Sequence, residues 1–164
     1  MPVLEWSPSL SVGVASIDSD HQLLFSLIAD VDRAVQEKEE TSVIGSLLRS
    51  LADYTDYHFA REERIMEVCA DPALANHKEY HDRLRAEVGD VSHHYADDPD
   101  GVDFDHFRGM MREWWVDHIL RVDVMMKPFV LANADKVAAI GEMPLVDLSG
   151  IEEDALSEDL EWQI

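Results

Sequence analysis

The chain has 164 residues, 46% of them hydrophobic, a size and composition suited to one core-forming domain. Its 35 acids against 13 Lys and Arg give a formal net charge of −22, which argues against nucleic acid and anionic membrane surfaces as partners. No run reaches the ~18 consecutive apolar residues of a membrane span, and Met1-Pro2-Val3-Leu4-Glu5-Trp6 lacks the basic start and long apolar stretch of a signal peptide. No membrane insertion is expected, and the chain reads as cytoplasmic. The single Cys69 agrees with a reducing compartment.

Apart from the first residues and a tail, helical periodicity runs through the whole chain. Asp18 or Ser19 can cap a first helix whose apolar positions Leu23, Leu24, Leu27, Ile28, Val31 and Val35 follow the 3.6 period, with His21 in its first turn. Thr41 or Ser42 can open a second, through Ile44, Leu47, Leu48, Leu51, Tyr54, Tyr57 and His58 to about Val68. Asp71-Pro72 breaks the chain and starts a third, with Pro72 near its first position and His77 and His81 further in. That helix fades into His93-His94-Tyr95-Ala96-Asp97-Asp98-Pro99-Asp100-Gly101, a segment dense in turn formers. A fourth runs from about Asp103 through Phe107, Met110, Trp114, His118 and Val122, and should stop or kink near Pro128. Four amphipathic helices with short connections predict an all-α, antiparallel up-down-up-down four-helix bundle over residues 1–132.

Residues 133–164 form an acidic C-terminal extension with nine acids and one Lys. Its Ser149-x-x-Glu152 resembles a capping box, and Ile151, Leu156, Leu160, Trp162 and Ile164 offer an apolar edge. Two readings stay open: a disordered acidic tail, or a short helix that docks on the bundle or on a protein partner.

Five of the eight histidines and two carboxylates form one ordered set: His21, His58, Glu62, His77, His81, His118 and Asp123. A helical step of four residues turns about 400°, so His58 and Glu62 share a face, as do His77 and His81. The step of five from His118 to Asp123 leaves side chains roughly 140° apart on an ideal helix. These two are therefore not expected to chelate one ion side by side, but Asp123 could reach a neighbouring ion. The set suggests two metals with carboxylates available to bridge them. Alternating helix directions let all seven meet in one cross-section of the bundle. Burying so many titratable groups without a metal would cost several kcal/mol, on the order of what a single unpaired polar group costs and more. His93, His94 and His106 fall outside the pattern and are expected on the surface, while Met110-Met111 and Met125-Met126 read as adaptable packing.

The chain resembles the hemerythrins, most closely the bacterial ones, over about residues 4 to 130. The resemblance rests on Trp6, Val12-Gly13-Val14 with Ile17-Asp18 and His21, Tyr54 with His58-Phe59 and Glu62-Glu63, Met66, His77, His81, and Trp114-Trp115-Val116-Asp117-His118-Ile119 ahead of Asp123. It implies two iron ions, one held by His77, His81 and His118 and the other by His21 and His58, bridged by Glu62, Asp123 and an oxo or hydroxo group. Three histidines against two leave an open position on the second iron, where dioxygen would bind. The resemblance also implies an apolar pocket wall of Leu24, Phe59, Trp114 and Val116. Where such proteins commonly carry Tyr three positions past the aspartate, this chain has Met126. Imidazole and carboxylate suit iron, and a site with fewer anionic donors than the ferritin-like di-iron proteins favours reversible binding over oxidation of a substrate. The expected activity is reversible dioxygen binding for storage, delivery or sensing. The alternatives are an enzyme reducing peroxide or nitric oxide, and iron handling.

Overall fold

The computed structural model describes residues 6–141. Its helices are α1 (Ala15–Glu37), α2 (Thr41–Val68), α3 (Leu74–Asp97), α4 (Phe104–Arg121), α5 (Lys127–Ala132) and α6 (Ala134–Gly141). The first four form the antiparallel up-down-up-down bundle, and no strand occurs among the described residues. α2 is the central element, packing along α1 on one side and α3 on the other, with α6 also laid against it. None of the described helices is long and apolar enough to cross a membrane.

α1 starts a turn earlier than its capping residues suggest. Asp18 does not cap it. The Asp18 carboxylate instead reaches back to accept the Val12 N–H at 2.8 Å and the Ser11 hydroxyl at 2.6 Å. This fastens the segment ahead of the helix and seats Val12 and Val14 in the core. Gly13, between them, has φ +80°, a conformation a side chain would strain. His21 consequently lies in the second turn of α1, not the first. The buried stripe of α1 is Ile17, His21, Leu24, Phe25, Ile28, Val31 and Ala34. Leu23, expected inside, is 43% exposed because two residues past His21 the helix has turned about 200° to the outer side.

α2 occupies the expected range and buries Ile44, Leu48, Leu51, Thr55, His58, Phe59, Glu62, Ile65 and Met66 on one face. α3 begins at Leu74 rather than at Pro72. The intervening turn is closed by the Asp71 carboxylate, which accepts the Ala73 N–H at 2.9 Å. It then continues through His93 and His94, where turn formers had suggested it would fade, because Leu84, Val88 and the buried Tyr95 extend the inward stripe. Asp103 caps α4 by accepting the His106 N–H at 2.9 Å.

The fourth helix ends at Arg121, well before Pro128. A 3-10 turn over Asp123–Met126 follows, and Pro128 sits in the first turn of α5, where its missing N–H costs nothing. Met126 is buried in this turn, but Met125 is 64% exposed rather than part of the core. Val130 of α5 and Val137 and Ile140 of α6 are buried, so packed structure continues past residue 132 to the end of the described chain. The capping-box sequence at Ser149 and the apolar positions Ile151, Leu156, Leu160, Trp162 and Ile164 lie outside the described residues.

Candidate metal centre

Four elements of the bundle and the 3-10 turn bring all seven ordered residues to one place. His21 comes from α1, His58 and Glu62 from α2, His77 and His81 from α3, His118 from α4 and Asp123 from the turn after it. All seven are buried, none more than 4% exposed. Glu62, His77, His81, His118 and Asp123 each offer one donor atom, and these lie within 4.8 Å of one another; His21, His58 and Glu62 form a second such group.

The carboxylates join the two groups. Glu62 Oε2 lies 3.2 Å from His81 Nε2, 3.3 Å from His77 Nε2 and 3.9 Å from His58 Nε2. Asp123 turns Oδ1 to His118 Nε2 at 2.9 Å and to His77 Nε2 at 3.5 Å, and Oδ2 to His21 Nε2 at 3.4 Å. Asp123, expected from its spacing to lie away from His118, instead meets it directly. The helix ends between them, so the 140° of an ideal helix does not apply and the aspartate swings back to its histidine.

The electrostatics of this cluster are those of a site built around positive charge. Burial works against ionisation of Glu62, but contacts from His77 and His81 hold its carboxyl well below the ordinary range. Burial and the nearby Glu62 carboxylate oppose ionisation of Asp123, yet His118 and His21 hold its pKa below the usual value. Burial would depress His21 and His81, yet Asp123 raises the former and Glu62 with Glu63 the latter. His58 follows burial and is lowered. His81 Nε2 faces His118 Nε2 at 3.2 Å. His21 Nε2, His58 Nε2, Glu62 Oε1 and both Asp123 oxygens are buried and, close as the imidazoles lie, make no well-directed hydrogen bond among the described residues. Lone pairs converging in a dry interior with nothing to receive them fit a cation, and borderline nitrogen with hard oxygen fits a first-row transition metal.

The apolar surroundings match the expected wall in part. Leu24 and Phe59 are fully buried, and Phe59 stacks on His81 with ring centroids 3.7 Å apart and planes 10° from parallel. Trp114 and Val116 are only half-buried, and Trp114 turns toward Tyr80 at 6.4 Å. The indole beside the cluster is that of Trp115, fully buried, 6.3 Å from His21, 5.8 Å from His58 and 5.8 Å from Phe59 between ring centroids. Phe107, Met111, Trp115 and Ile119 recur every four residues and define the inward face of α4, which leaves Trp114 to the side. Trp6 completes the surround, 6.1 Å from His21 and 6.0 Å from Phe25.

Two outer carboxylates were not singled out from sequence. Asp20 is 2% exposed, and its pKa is lowered against the pull of burial by His58, Tyr54 and Arg61. Glu63 is likewise lowered, by His81 and Arg85. The signal for Asp20 was present, since an acid three residues after Ile17 and four before Leu24 interrupts an apolar stripe. His93, His94 and His106 are exposed, as their place outside the pattern suggests.

Comparison with known proteins places these features in a family. The model of the Hemerythrin HHE cation binding domain matches residues 12–130. A bacteriohemerythrin of Stenotrophomonas maltophilia is 28% identical over 148 residues, covering 84% of this chain and 88% of that protein. One of Ralstonia nicotianae is 30% identical over 126 residues, covering 77% of this chain and 88% of its own length. Among solved structures, a wild-type hemerythrin superposes with a TM-score of 0.70 at 28% identity, covering 77% of this chain and 97% of that one.

Proposed function

Because the chain belongs to the hemerythrin family, we propose that it binds dioxygen reversibly at a pair of iron ions held by His21, His58, Glu62, His77, His81, His118 and Asp123. The observation that carries this reading is the inequality of the two donor groups. Glu62, His77, His81, His118 and Asp123 converge on one position, whereas His21 and His58 share only the carboxylates with it. The position with fewer donors would be the one to take an exogenous ligand. Iron held by these residues, with an oxo or hydroxo group, would supply reversible electron donation to dioxygen, one electron from each ion.

The protein's own residues set the conditions for that chemistry. Glu62 and Asp123 each stand between the two donor groups and would offset the charge of ions held there. The five imidazoles act as neutral donors, so the dry core carries little net charge when filled. Phe59, Trp115 and Leu24 exclude water from the donor groups, and a dry pocket opposes escape of superoxide, the route to a ferric state that no longer binds.

Absorption spectra of the reduced, iron-loaded protein test the proposal. A stable new band on exposure to dioxygen that disappears when the gas is removed is the expected result. Immediate ferric iron, with rapid consumption of added peroxide or nitric oxide, would assign the chain an enzymatic role instead.

A further inference from the structure

Behind the seven inner donors stand two carboxylates that the proposed dioxygen chemistry leaves without a task, one for each donor group. Glu63, beside Glu62 on α2, accepts from His81 Nδ1 at 2.9 Å. It is itself held by Arg85 Nη2 at 2.9 Å, with Lys78 Nζ at 3.7 Å. Arg85 is further fixed by Asp56 at 3.3 Å and Asp82 at 3.0 Å, and lies 5.2 Å from the ring of Phe59, which stacks on the same His81. On the other side, Asp20 accepts from Tyr54 Oη at 2.7 Å and from Arg61 Nη1 at 2.9 and 3.0 Å. Its Oδ2 stands 3.7 Å from His58 Nδ1, beyond hydrogen-bond distance. Nδ1 of His21, the remaining histidine of that group, is buried without a hydrogen-bond partner.

A carboxylate on the far nitrogen of a ligating histidine fixes which nitrogen carries the proton, locks the ring rotation and makes the inner nitrogen a stronger donor. His81 has this tie at full strength, backed by a guanidinium. His58 only faces a carboxylate, 3.7 Å away and already shared between Tyr54 and Arg61, with no hydrogen bond to it, and His21 Nδ1 has no partner at all among the described residues. We propose that Glu63 and Asp20 are positioning residues, each serving one metal position. Glu63 acts through His81 on the position of Glu62, His77, His81, His118 and Asp123, and Asp20 acts through His58 on the position of His21 and His58. The two positions therefore hold their metals unequally, and the His21–His58 position empties first. This inference rests on the two-metal reading of the site.

Release of iron tests it without reference to dioxygen. The full-length, ferrous-loaded protein is mixed anaerobically with excess ferrous chelator, and the coloured chelate is followed in time. The wild type is expected to release its iron in a fast and a slow phase of equal amplitude. E63Q and E63A should accelerate the slow phase, roughly 10- to 100-fold, and leave the fast one in place. D20N should accelerate the fast phase alone. R85M should move the slow phase by a smaller factor without altering either carboxylate, which keeps the Glu63 arm decidable if the Glu63 variants fold poorly. A general loosening of the bundle speeds both phases together, so phase selectivity separates positioning from structural damage. The proposal is overturned if each variant changes both phases alike, or if none changes either. A wild type that takes up fewer than two irons overturns the two-metal reading with it, and this is seen before any variant is compared.

Discussion

Trp114 and Trp115 are neighbours in sequence with opposite roles in the structure. The Trp115 indole is fully buried against His21, His58 and Phe59, while Trp114 leans on Tyr80 at the side of the bundle. If the dry wall protects the site, W115F should speed decay of the oxygenated absorption band severalfold, at a stability cost of about 0.5–3 kcal/mol. W114F should decay at close to the wild-type rate. Equal rates for the two variants would remove Trp115 from the wall. The seven candidate donors were legible as a set: one buried imidazole or carboxylate has ordinary structural uses, as Asp20 shows, but seven in order at helical spacing do not. The choice between two adjacent tryptophans was not legible, since it depends on the rotation of α4 about its axis, which the packing of Phe107, Met111 and Ile119 sets.

At the scale of elements, helix ends carry most of the difference between expectation and structure. α1 and α2 both close with the same hydrogen-bond pair. Glu39 N–H reaches Ala34 O at 2.9 Å and Lys38 N–H reaches Val35 O at 3.2 Å, and Asp71 N–H reaches Met66 O with Ala70 N–H to Glu67 O, both at 3.0 Å. This Schellman closure requires a left-handed residue, a position where glycine is usual. Here it is filled by Lys38 at φ 55° and Ala70 at φ 52°. Replacing either by glycine should relieve strain, and A70G is expected to raise stability by about 1 kcal/mol in urea denaturation. A fall in stability would show that the αL conformation at Ala70 is not strained. The end of α2 near Val68 was legible in the sequence but its closure was not, because the glycine that usually signals it is absent. The break of α4 at Val122 was equally hidden. No proline or glycine stands there, and the turn that follows carries Asp123 into the buried cluster against His118.

For the whole molecule, the centre and the bundle depend on each other. Five imidazoles and two carboxylates face one another in an interior with no other cation among the described side chains that reaches them. Removing metal with a chelator leaves that polar cluster uncompensated, at a cost of several kcal/mol on the scale of about 1–3 kcal/mol for each unsatisfied buried group. The metal-free protein should therefore melt well below the loaded one, and readdition of ferrous iron should restore the difference. Indistinguishable melting curves would mean that the seven donors do not hold metal in the folded state. The class of fold, the order of the four helices and the seven residues that cluster at the candidate centre were all legible in the sequence, because helical period and donor chemistry are local properties that a linear pattern records. The tertiary structure alone decided that Asp123 folds back onto His118, that Trp115 rather than Trp114 meets the centre, and that Glu63 and Asp20 stand unequally behind it. Each of these depends on how one helix is rotated, ended or packed against another, and such distances arise only when segments far apart in the chain compete for the same space.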